Sequence, residues 1–157
     1  MPAPPRNLDY GLLNDLGGHL FRHAFLRGQQ VFAEVFADAG ITPLQFMTLE
    51  LVSRNPGVTH KEICAAMASA PSVITTTLKP LIGKGALLRE RKAGDGRQIG
   101  YRLSSRGETW FQDLRPKIHA AEQKLFKGLP ADQRAALLRA LRHLTERDRL
   151  GQPVLEE

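Results

Sequence analysis

The sequence predicts a mainly α (α+β) fold, in which four helices precede a β-hairpin and two more helices follow it. Two observations predict this order. Apolar residues recur at helical spacing along most of the chain, and the spacing changes to alternation only after Gly85. A chain of 157 residues suits one domain, so residues 1–157 are expected to form a single domain.

The composition is that of an ordinary globular protein, since 42% of the residues are hydrophobic and 24% are charged. No apolar run approaches the ~20 residues that cross a bilayer, and the N-terminal residues lack the apolar segment of a signal peptide. The single cysteine, Cys64, excludes an intramolecular disulfide and a cysteine-based zinc site, and we expect it to be a packed small residue. We therefore expect a cytoplasmic protein with no membrane partner.

The net charge of +6 lies in one short segment of the chain. Residues 79–106 contain eight Lys and Arg residues against two acidic ones, whereas the other 129 residues contain 14 of each sign. A concentrated positive charge on an otherwise neutral chain is typical of a surface that binds nucleic acid. This segment is the first indication of function.

The first helix is predicted over residues 12–38 and ends at Gly40. An aliphatic stripe and a neighbouring stripe of phenylalanines run along it, and this apolar arc is wider than one small core requires. We therefore expect part of the arc to lie in an interface between two copies of the chain. The phenylalanines are Phe21, Phe25, Phe32 and Phe36.

Sequence motifs mark the starts and ends of the next three helices. A T-x-x-Q capping box at 42–45 starts the second helix, which ends at 55–57, and a second box at 59–62 starts the third. The fourth helix begins near Pro71 and ends at Gly85. Its buried edge is predicted to be Ile74, Leu78 and Leu81.

The period-2 segment that follows predicts a hairpin. Its strands are 87–92 and 99–103, its tip is the turn-rich segment 93–98, and Gly100 is expected to weaken the second strand. Three short helices followed by a hairpin are the arrangement of a winged helix-turn-helix, in which the hairpin is the wing.

A long helix is predicted after the hairpin, over about 105–126. Ser104 or Ser105 caps it, and Glu108 would complete an S-x-x-E box with Ser105. Pro116 lies inside this helix and is expected to kink it.

The last helix is predicted at about 131–149, with four leucines directed inward. Residues 42–104 are then a winged-helix DNA-binding lobe, flanked by long N- and C-terminal dimerisation helices at 9–39 and 105–150. The four leucines are Leu137, Leu138, Leu141 and Leu144.

The fourth helix carries short polar and basic side chains away from its buried edge. A threonine hydroxyl can bond a phosphate or a base edge, and its methyl group can pack on a thymine methyl. The alternative is that these residues form only a solvated face. The candidates for DNA contact are Ser72, Thr75, Thr76 and Lys79.

Two features of this helix depart from what a DNA-reading helix usually has. Pro80 removes an N–H group and is expected to kink or loosen the last turn, which affects the groove fit of Lys79 and of a further DNA-contact candidate, Lys84. Ala70 occupies the position where a capping side chain is usual.

The hairpin tip adds three more DNA-contact candidates. Arg97 is well placed to enter a narrow minor groove, whose negative potential attracts arginine, and Asp95 can orient its guanidinium. Arg91 is the third candidate. The alternative is a surface turn with an incidental ion pair, which contributes little.

Taken together these motifs resemble the MarR-type winged-helix transcriptional regulators over about residues 10–150. The most specific segments are L-I-G-K-G-A-L-L-R at 81–89, D-G-R at 95–97 and L-S-S-R-G at 103–107, and G-L-P-A-D-Q at 128–133 is similar to the family's link to its last helix. The resemblance implies a triangular homodimer, formed through helices 1, 5 and 6, whose subunits each bind one half-site of a pseudo-palindrome in double-stranded DNA.

The resemblance also implies roles for individual residues. Arg97 takes the position of the family's minor-groove arginine, and Asp95 that of its orienting acid. The family's thiol-based peroxide sensors carry their cysteine in the first helix, which Cys64 does not match. Members commonly bind a small aromatic acid, a phenolic compound or a related conjugate, which releases the DNA.

Candidate ligand-binding residues are His19, Arg22, His23 and Phe46. Imidazole and guanidinium groups on the first helix can both meet a carboxylate, and aromatic side chains can wall a pocket. The alternatives are a solvated polar face for the histidines and a core or dimer contact for the phenylalanines. No metal is predicted, because two histidines without a third ligand rarely suffice.

The sequence therefore predicts a sequence-specific DNA-binding regulator, a ligand-responsive repressor that acts as a homodimer. No catalytic residues and no cofactor are predicted, because the chain lacks the sequence motifs of common hydrolases, nucleotide-binding loops and metalloproteases. The alternative is a sequence-independent architectural DNA-binding or protein-partner module that uses the same basic face.

Overall fold

The computed structural model describes the backbone of residues 8–92 and 95–149, and side chains within 8–91 and 98–145. The described residues form six α-helices and three strands, after a short 3₁₀ turn at Gly11–Asn14. The helices are α1 (Gly17–Val35), α2 (Pro43–Arg54), α3 (His60–Ala66), α4 (Pro71–Gly83), α5 (Ser105–Leu125) and α6 (Ala131–Arg149). The strands are β1 (Val58–Thr59), β2 (Leu87–Lys92) and β3 (Asp95–Leu103).

The strands form one antiparallel sheet in the order β1-β3-β2. The hairpin is confirmed, but its second strand begins at Asp95 and not at residue 99, so most of the predicted tip at 93–98 belongs to the strand. β1 is an addition, because two residues are too few to leave a periodic signal. β1 pairs Val58 with Tyr101 and Thr59 with Gly100. A Cβ atom at Gly100 would lie 2.5 Å from the carbonyl oxygen of Gly57, so this glycine permits the close approach of β1 instead of weakening the strand.

Local hydrogen bonds start the helices where the sequence predicts. Both capping boxes, at 42–45 and 59–62, are present. The cap of α5 is Ser104, whose hydroxyl oxygen accepts a hydrogen bond from the Gly107 N–H at 2.9 Å. Ser105 is already helical, and the third residue after the Ser104 cap is Gly107, so the predicted S-x-x-E box with Glu108 does not form.

Neither interior proline ends its helix. α4 continues through Pro80 to Gly83, and α5 continues through Pro116 to Leu125. The turn after Pro80 is closed, since the Lys84 N–H donates to the Pro80 carbonyl at 2.9 Å. The expected loosening of this turn is therefore not observed, because the proline lies in the last turn of an exposed helix face.

The core lies between α1, α2, α4, α5 and the sheet, and an aromatic cluster joins the helices within it. Phe32 and Phe36 stack with their ring centroids 3.9 Å apart. Phe46 of α2 lies 5.6 Å from the Phe36 ring and 5.4 Å from the Phe111 ring. The fully buried aliphatic side chains include Val31, Leu49, Val52, Ile63, Ile74, Leu81 and Leu87.

The apolar side chains outside this core are concentrated on residues 12–25 and on 137–144 of α6, which together form the terminal apolar surface. Phe25 is 64% exposed and Leu144 is 59% exposed. The prediction that the α6 leucines point into a core is wrong for the single chain, because none of the described α6 side chains is buried. The other large exposed side chains of the terminal apolar surface are Leu12, Leu13, Leu16, Leu20, Phe21 and Leu137.

Candidate nucleic-acid interface

One exposed face of α4 holds four of the side chains predicted to contact DNA. The opposite edge of the helix is buried, as predicted, so this face is fixed toward solvent. Ala70 has no side chain that could cap α4. The first N–H groups of α4 are therefore left to other acceptors. The four residues are Ser72, Thr75, Thr76 and Lys79.

The two threonine hydroxyls on this face already donate to the helix backbone. Thr75 Oγ1 donates to the carbonyl of Pro71 at 2.9 Å, and Thr76 Oγ1 donates to the carbonyl of Ser72 at 2.9 Å. Thr75 has a second contact, because the Nε2 atom of His60 lies 3.1 Å from its Oγ1. The helix surface is therefore partly ordered before any ligand arrives.

The hairpin beside α4 carries the wing candidates. Arg91 is exposed on β2, where its backbone pairs with Ile99. The backbone of Asp95 and Arg97 belongs to β3, but their side chains lie outside the described ones. Their ion pair and the minor-groove contact therefore stay predictions.

The structure gives Lys84 contacts that differ from the predicted DNA contact. Its ammonium donates to the Gly40 carbonyl at 2.8 Å and lies 5.2 Å from the centroid of the Trp110 ring. Lys84 therefore ties the end of α4 to the segment after α1 and to α5. The sequence prediction missed this role because both partners are remote in sequence.

The structure brings together only part of the predicted ligand-binding set. The His19 and His23 rings lie 4.4 Å apart, with Arg22 exposed beside them, whereas Phe46 is buried in the aromatic cluster of the core. Among the described side chains, no group of three or more His, Cys, Asp or Glu residues could hold a metal ion.

A cavity of about 500 Å³, which no sequence pattern predicts, lies between α2, β3 and the first half of α5. Arg54, Arg102 and Arg115 line it, and Leu103 and Phe111 supply apolar wall. Each arginine comes from a different element, so no spacing in the sequence links them. Three guanidinium groups around one apolar recess favour a ligand that is both anionic and partly apolar.

One carboxylate organises two of these arginines. Arg115 Nη2 donates to Glu50 Oε2 at 2.6 Å, and Arg54 Nε donates to Glu50 Oε1 at 3.0 Å. Burial raises the pKa of Glu50, but the hydrogen bonds from Arg54 and Arg115 outweigh it and hold that pKa below its usual value. Glu50 neutralises part of this positive charge, and Glu108, which also lines the cavity, neutralises a further part.

The Arg115 guanidinium retains unused bonding capacity. It lies 5.2 Å from the Phe111 ring centroid, and its Nε atom is buried without a hydrogen-bond partner in the described part of the chain. A buried donor without an acceptor is costly. The third arginine, Arg102, donates through Nε to Glu90 Oε1 at 2.5 Å.

Comparison with known proteins points to one family. Residues 41–99, which run from the start of α2 to the middle of β3, match the model described as the MarR family. The chain is 27% identical over 136 residues to the HTH-type transcriptional repressor Rv2887 of Mycobacterium tuberculosis, a match that covers 85% of this chain and 97% of that protein. It is 25% identical over 146 residues to the HTH-type transcriptional repressor NicR of Pseudomonas putida, which covers 93% and 92% of the two chains.

Solved structures agree with this match. The transcriptional repressor CouR, bound to a 23-mer DNA duplex, superimposes with a TM-score of 0.83 at 28% identity, over 89% of this chain and 99% of that one. BpsR of Bordetella bronchiseptica, whose DNA binding is regulated by 6-hydroxynicotinic acid, shares the fold with a TM-score of 0.80 at 22% identity, over 88% and 99%. No helix in the described part of this chain is long and apolar enough to span a membrane.

Proposed function

This chain belongs to the MarR family of transcriptional regulators, which are DNA-binding proteins and not enzymes, and on that premise we propose that it is a ligand-responsive repressor. Two copies would bind one pseudo-palindromic operator in the cytoplasm. The observation that carries the proposal is the exposed polar face of α4, followed directly by the hairpin within the segment 79–106 that holds the whole net charge.

The terminal apolar surface supports the homodimer. The isolated chain leaves the apolar side chains of this surface exposed, and both parts of the surface lie on elements near the ends of the chain. Two identical patches related by a twofold axis bury each other, which is the usual arrangement of a dimer. In this proposal residues 9–39 and 105–150 hold the subunits together, and residues 42–104 bind DNA.

The DNA contacts divide by chemistry. α4 enters the major groove, where Thr75 and Thr76 face base edges, and Lys79 neutralises phosphates. The hairpin follows the backbone to the adjacent minor groove, which Arg97 enters with Asp95 orienting it. Ser72 and Arg91 add phosphate contacts at the two ends of this surface.

For the effector we propose a small aromatic acid bound in the arginine-lined cavity. Its carboxylate would occupy the unused donors of Arg115 and Arg102, and its ring would pack on Phe111 and Leu103. The cavity is bounded by β3 of the wing and by α5, so an occupant contacts both the DNA-binding and the dimerising parts. The alternative ligand edge is the one formed by His19, Arg22 and His23, which lies outside this cavity.

Selection of bound sites from random duplex DNA tests the DNA-binding proposal. We expect a palindromic consensus with half-sites about one helical turn apart, and binding that resists excess unrelated duplex. The logarithm of affinity is expected to fall with the logarithm of salt concentration with a slope of magnitude about 5 or more. Binding without a consensus would support the alternative, a sequence-independent architectural module.

Calorimetric titration with salicylate, 6-hydroxynicotinic acid and p-coumarate tests the cavity. We expect at least one to bind saturably and to release operator DNA, and Arg115→Met to weaken that binding at least about tenfold, because a charge-assisted pair is lost. His23→Ala is the matched control and leaves binding unchanged. The opposite pattern would assign the ligand to the α1 edge instead.

A further inference from the structure

A side-chain hydrogen bond joins the two helices of the helix-turn-helix across their exposed side. His60 is the first residue of α3, Thr75 lies on the exposed face of α4, and the His60 Nε2 atom is 3.1 Å from Thr75 Oγ1. The other ring nitrogen, Nδ1, lies 3.5 Å from the Sγ atom of Cys64. The Thr75 hydroxyl is also 2.9 Å from the Pro71 carbonyl oxygen.

Counting protons fixes the direction of these bonds. A carbonyl oxygen can only accept, so the short contact with Pro71 requires that the single hydroxyl proton of Thr75 points to it. His60 Nε2 must then carry a proton and donate it to Thr75 Oγ1, while Nδ1 accepts from the Cys64 thiol. In the other tautomer Nε2 carries no proton and the Thr75 hydroxyl would have to donate to it. That would leave Thr75 Oγ1 and the Pro71 oxygen 2.9 Å apart with no proton between them.

This arrangement removes the donor capacity of Thr75. Its proton is directed into the helix and one lone pair accepts from His60, so the remaining lone pair is what the exposed side chain offers to a ligand. Phosphate oxygens and guanine O6 and N7 are acceptors and cannot use it. The donors on the major-groove edge are the amino groups of adenine N6 and cytosine N4.

We propose that His60 is a positioning residue that sets Thr75 as a hydrogen-bond acceptor, so that this position of α4 selects a base with an amino group, adenine or cytosine, in each half-site. The inference rests on the proposed function, because it requires α4 to lie in the major groove. Thr76 is the internal comparison: its hydroxyl donates to Ser72 in the same way, but it has no histidine partner among the described side chains.

The experiment measures the affinity of full-length wild-type and variant protein for the selected operator and for every single base-pair substitution of one half-site. The variants are Thr75→Val, which keeps the shape but loses the oxygen, His60→Leu, which loses the donor, and His60→Gln, which keeps an N–H donor near the Nε2 position. Thr76→Val is the matched control, and thermal unfolding identifies any variant that does not fold.

Every base pair carries one amino group in the major groove, so a substitution changes the strand on which it lies. For the wild type we expect one half-site position at which moving the amino group to the other strand weakens binding about five- to tenfold, the range of one direct hydrogen bond. Thr75→Val and His60→Leu are expected to abolish discrimination at that same position, His60→Gln to retain it, and Thr76→Val to leave it intact. Replacing the selected base by an analogue without its amino group should match the Thr75→Val effect.

Three outcomes would overturn the inference. His60→Leu could weaken binding equally for all sequences, which is what a purely structural role produces. Thr75→Val and His60→Leu could affect different positions, or the base analogue without the amino group could bind as tightly as the natural base. Should His60→Leu fail to fold, His60→Gln and Thr75→Val still decide the matter. A wild-type protein without any sequence preference would overturn the proposed function itself, and this inference with it.

Discussion

The central lobe, residues 43–103, and the terminal helices differ in how completely one chain buries their apolar side chains. In the lobe, Leu49 and Ile74 are wholly buried, and the sheet and helices close around them. On α1, Leu20 is half exposed and Phe25 more so. The lobe is therefore closed by its own chain, whereas apolar side chains near the start of α1 and on α6 stay exposed. In the proposed dimer a second subunit would bury them, so that part of the stability would depend on protein concentration.

The contacts within the terminal helices support this distinction. Lys117 donates to Asp38 at 2.6 Å, and its hydrogen bond holds the pKa of that carboxyl below its usual value. Lys124 forms a further ion pair with Glu34. These pairs join α5 to α1 and to the turn that follows it. Exposed ion pairs contribute little to stability, so they cannot replace a buried core.

The largest expected effect comes from placing a charge on the terminal apolar surface. Leu20→Asp should raise the dimer dissociation constant at least about 1000-fold, because two leucines worth about 2 kcal/mol each leave the interface. Sedimentation equilibrium measures it. Leu88→Asp, at an exposed apolar residue of β2, is the control and leaves the dimer intact. An unaffected dimer in Leu20→Asp would mean that this surface is not the interface.

The next effect concerns the junction between the lobe and α5. A Cβ atom at Gly107 would lie 2.0 Å from the carbonyl oxygen of Ala86, so Gly107→Ala is expected to lower the unfolding free energy by about 2–3 kcal/mol. Gly83→Ala is the control, because open space surrounds that position. Urea denaturation of both variants measures the difference, and equal midpoints would contradict this packing.

A smaller effect separates a structural lysine from a DNA-binding one. Lys84→Met should cost about 1 kcal/mol of stability, since it removes the bond to Gly40 and the contact with Trp110. It should leave the salt dependence of DNA binding unchanged. Lys79→Met should instead reduce the slope by about 2 per dimer without loss of stability. A reduced slope for Lys84→Met would restore it as a DNA contact.

The smallest effect is the pH dependence of the cavity wall. The pKa of Glu50 is lower in the folded chain, so the unfolded chain binds its proton more tightly. The stabilisation is therefore present above about pH 4.5, the usual glutamate value, and is lost as the pH falls below it. Glu50→Gln should cost about 0.5–1 kcal/mol at pH 7 and almost nothing at pH 3, measured by urea unfolding. If Glu50→Gln still lowers the free energy of unfolding at pH 3, the negative charge of Glu50 is not the cause.

Local signals predicted most of the fold. The capping boxes at 42–45 and 59–62 and the ends of α4 and α6 depend on neighbouring residues, and the structure agrees with them. The exposed face of α4 was equally predictable, because its buried edge at i, i+4 and i+7 determines which side chains point outward. Such features depend only on residues that are close together in the sequence.

Other features required contacts between distant residues. Gly100 looks like a weak point in a strand until Gly57 is seen against it, and the contacts of Lys84 with Gly40 and Trp110 have no local signal. The arginine cavity has no counterpart in the sequence, since its three cations come from three different elements that only the fold brings together. A single sequence records which side chains exist but not which remote ones meet.

By itself the sequence determined the order of the helices and the hairpin, the resemblance to the MarR family and the location of the positive charge, because periodicity, caps, motifs and composition are properties of residues close together in the chain. Tertiary structure alone decided which remote polar groups meet. It gives the Lys84 ammonium and Thr75 Oγ1 a partner from another element, and it leaves Arg115 Nε buried without one among the described residues. The physical reason is that a hydrogen-bonding group remains available to a ligand only when folding brings it no partner.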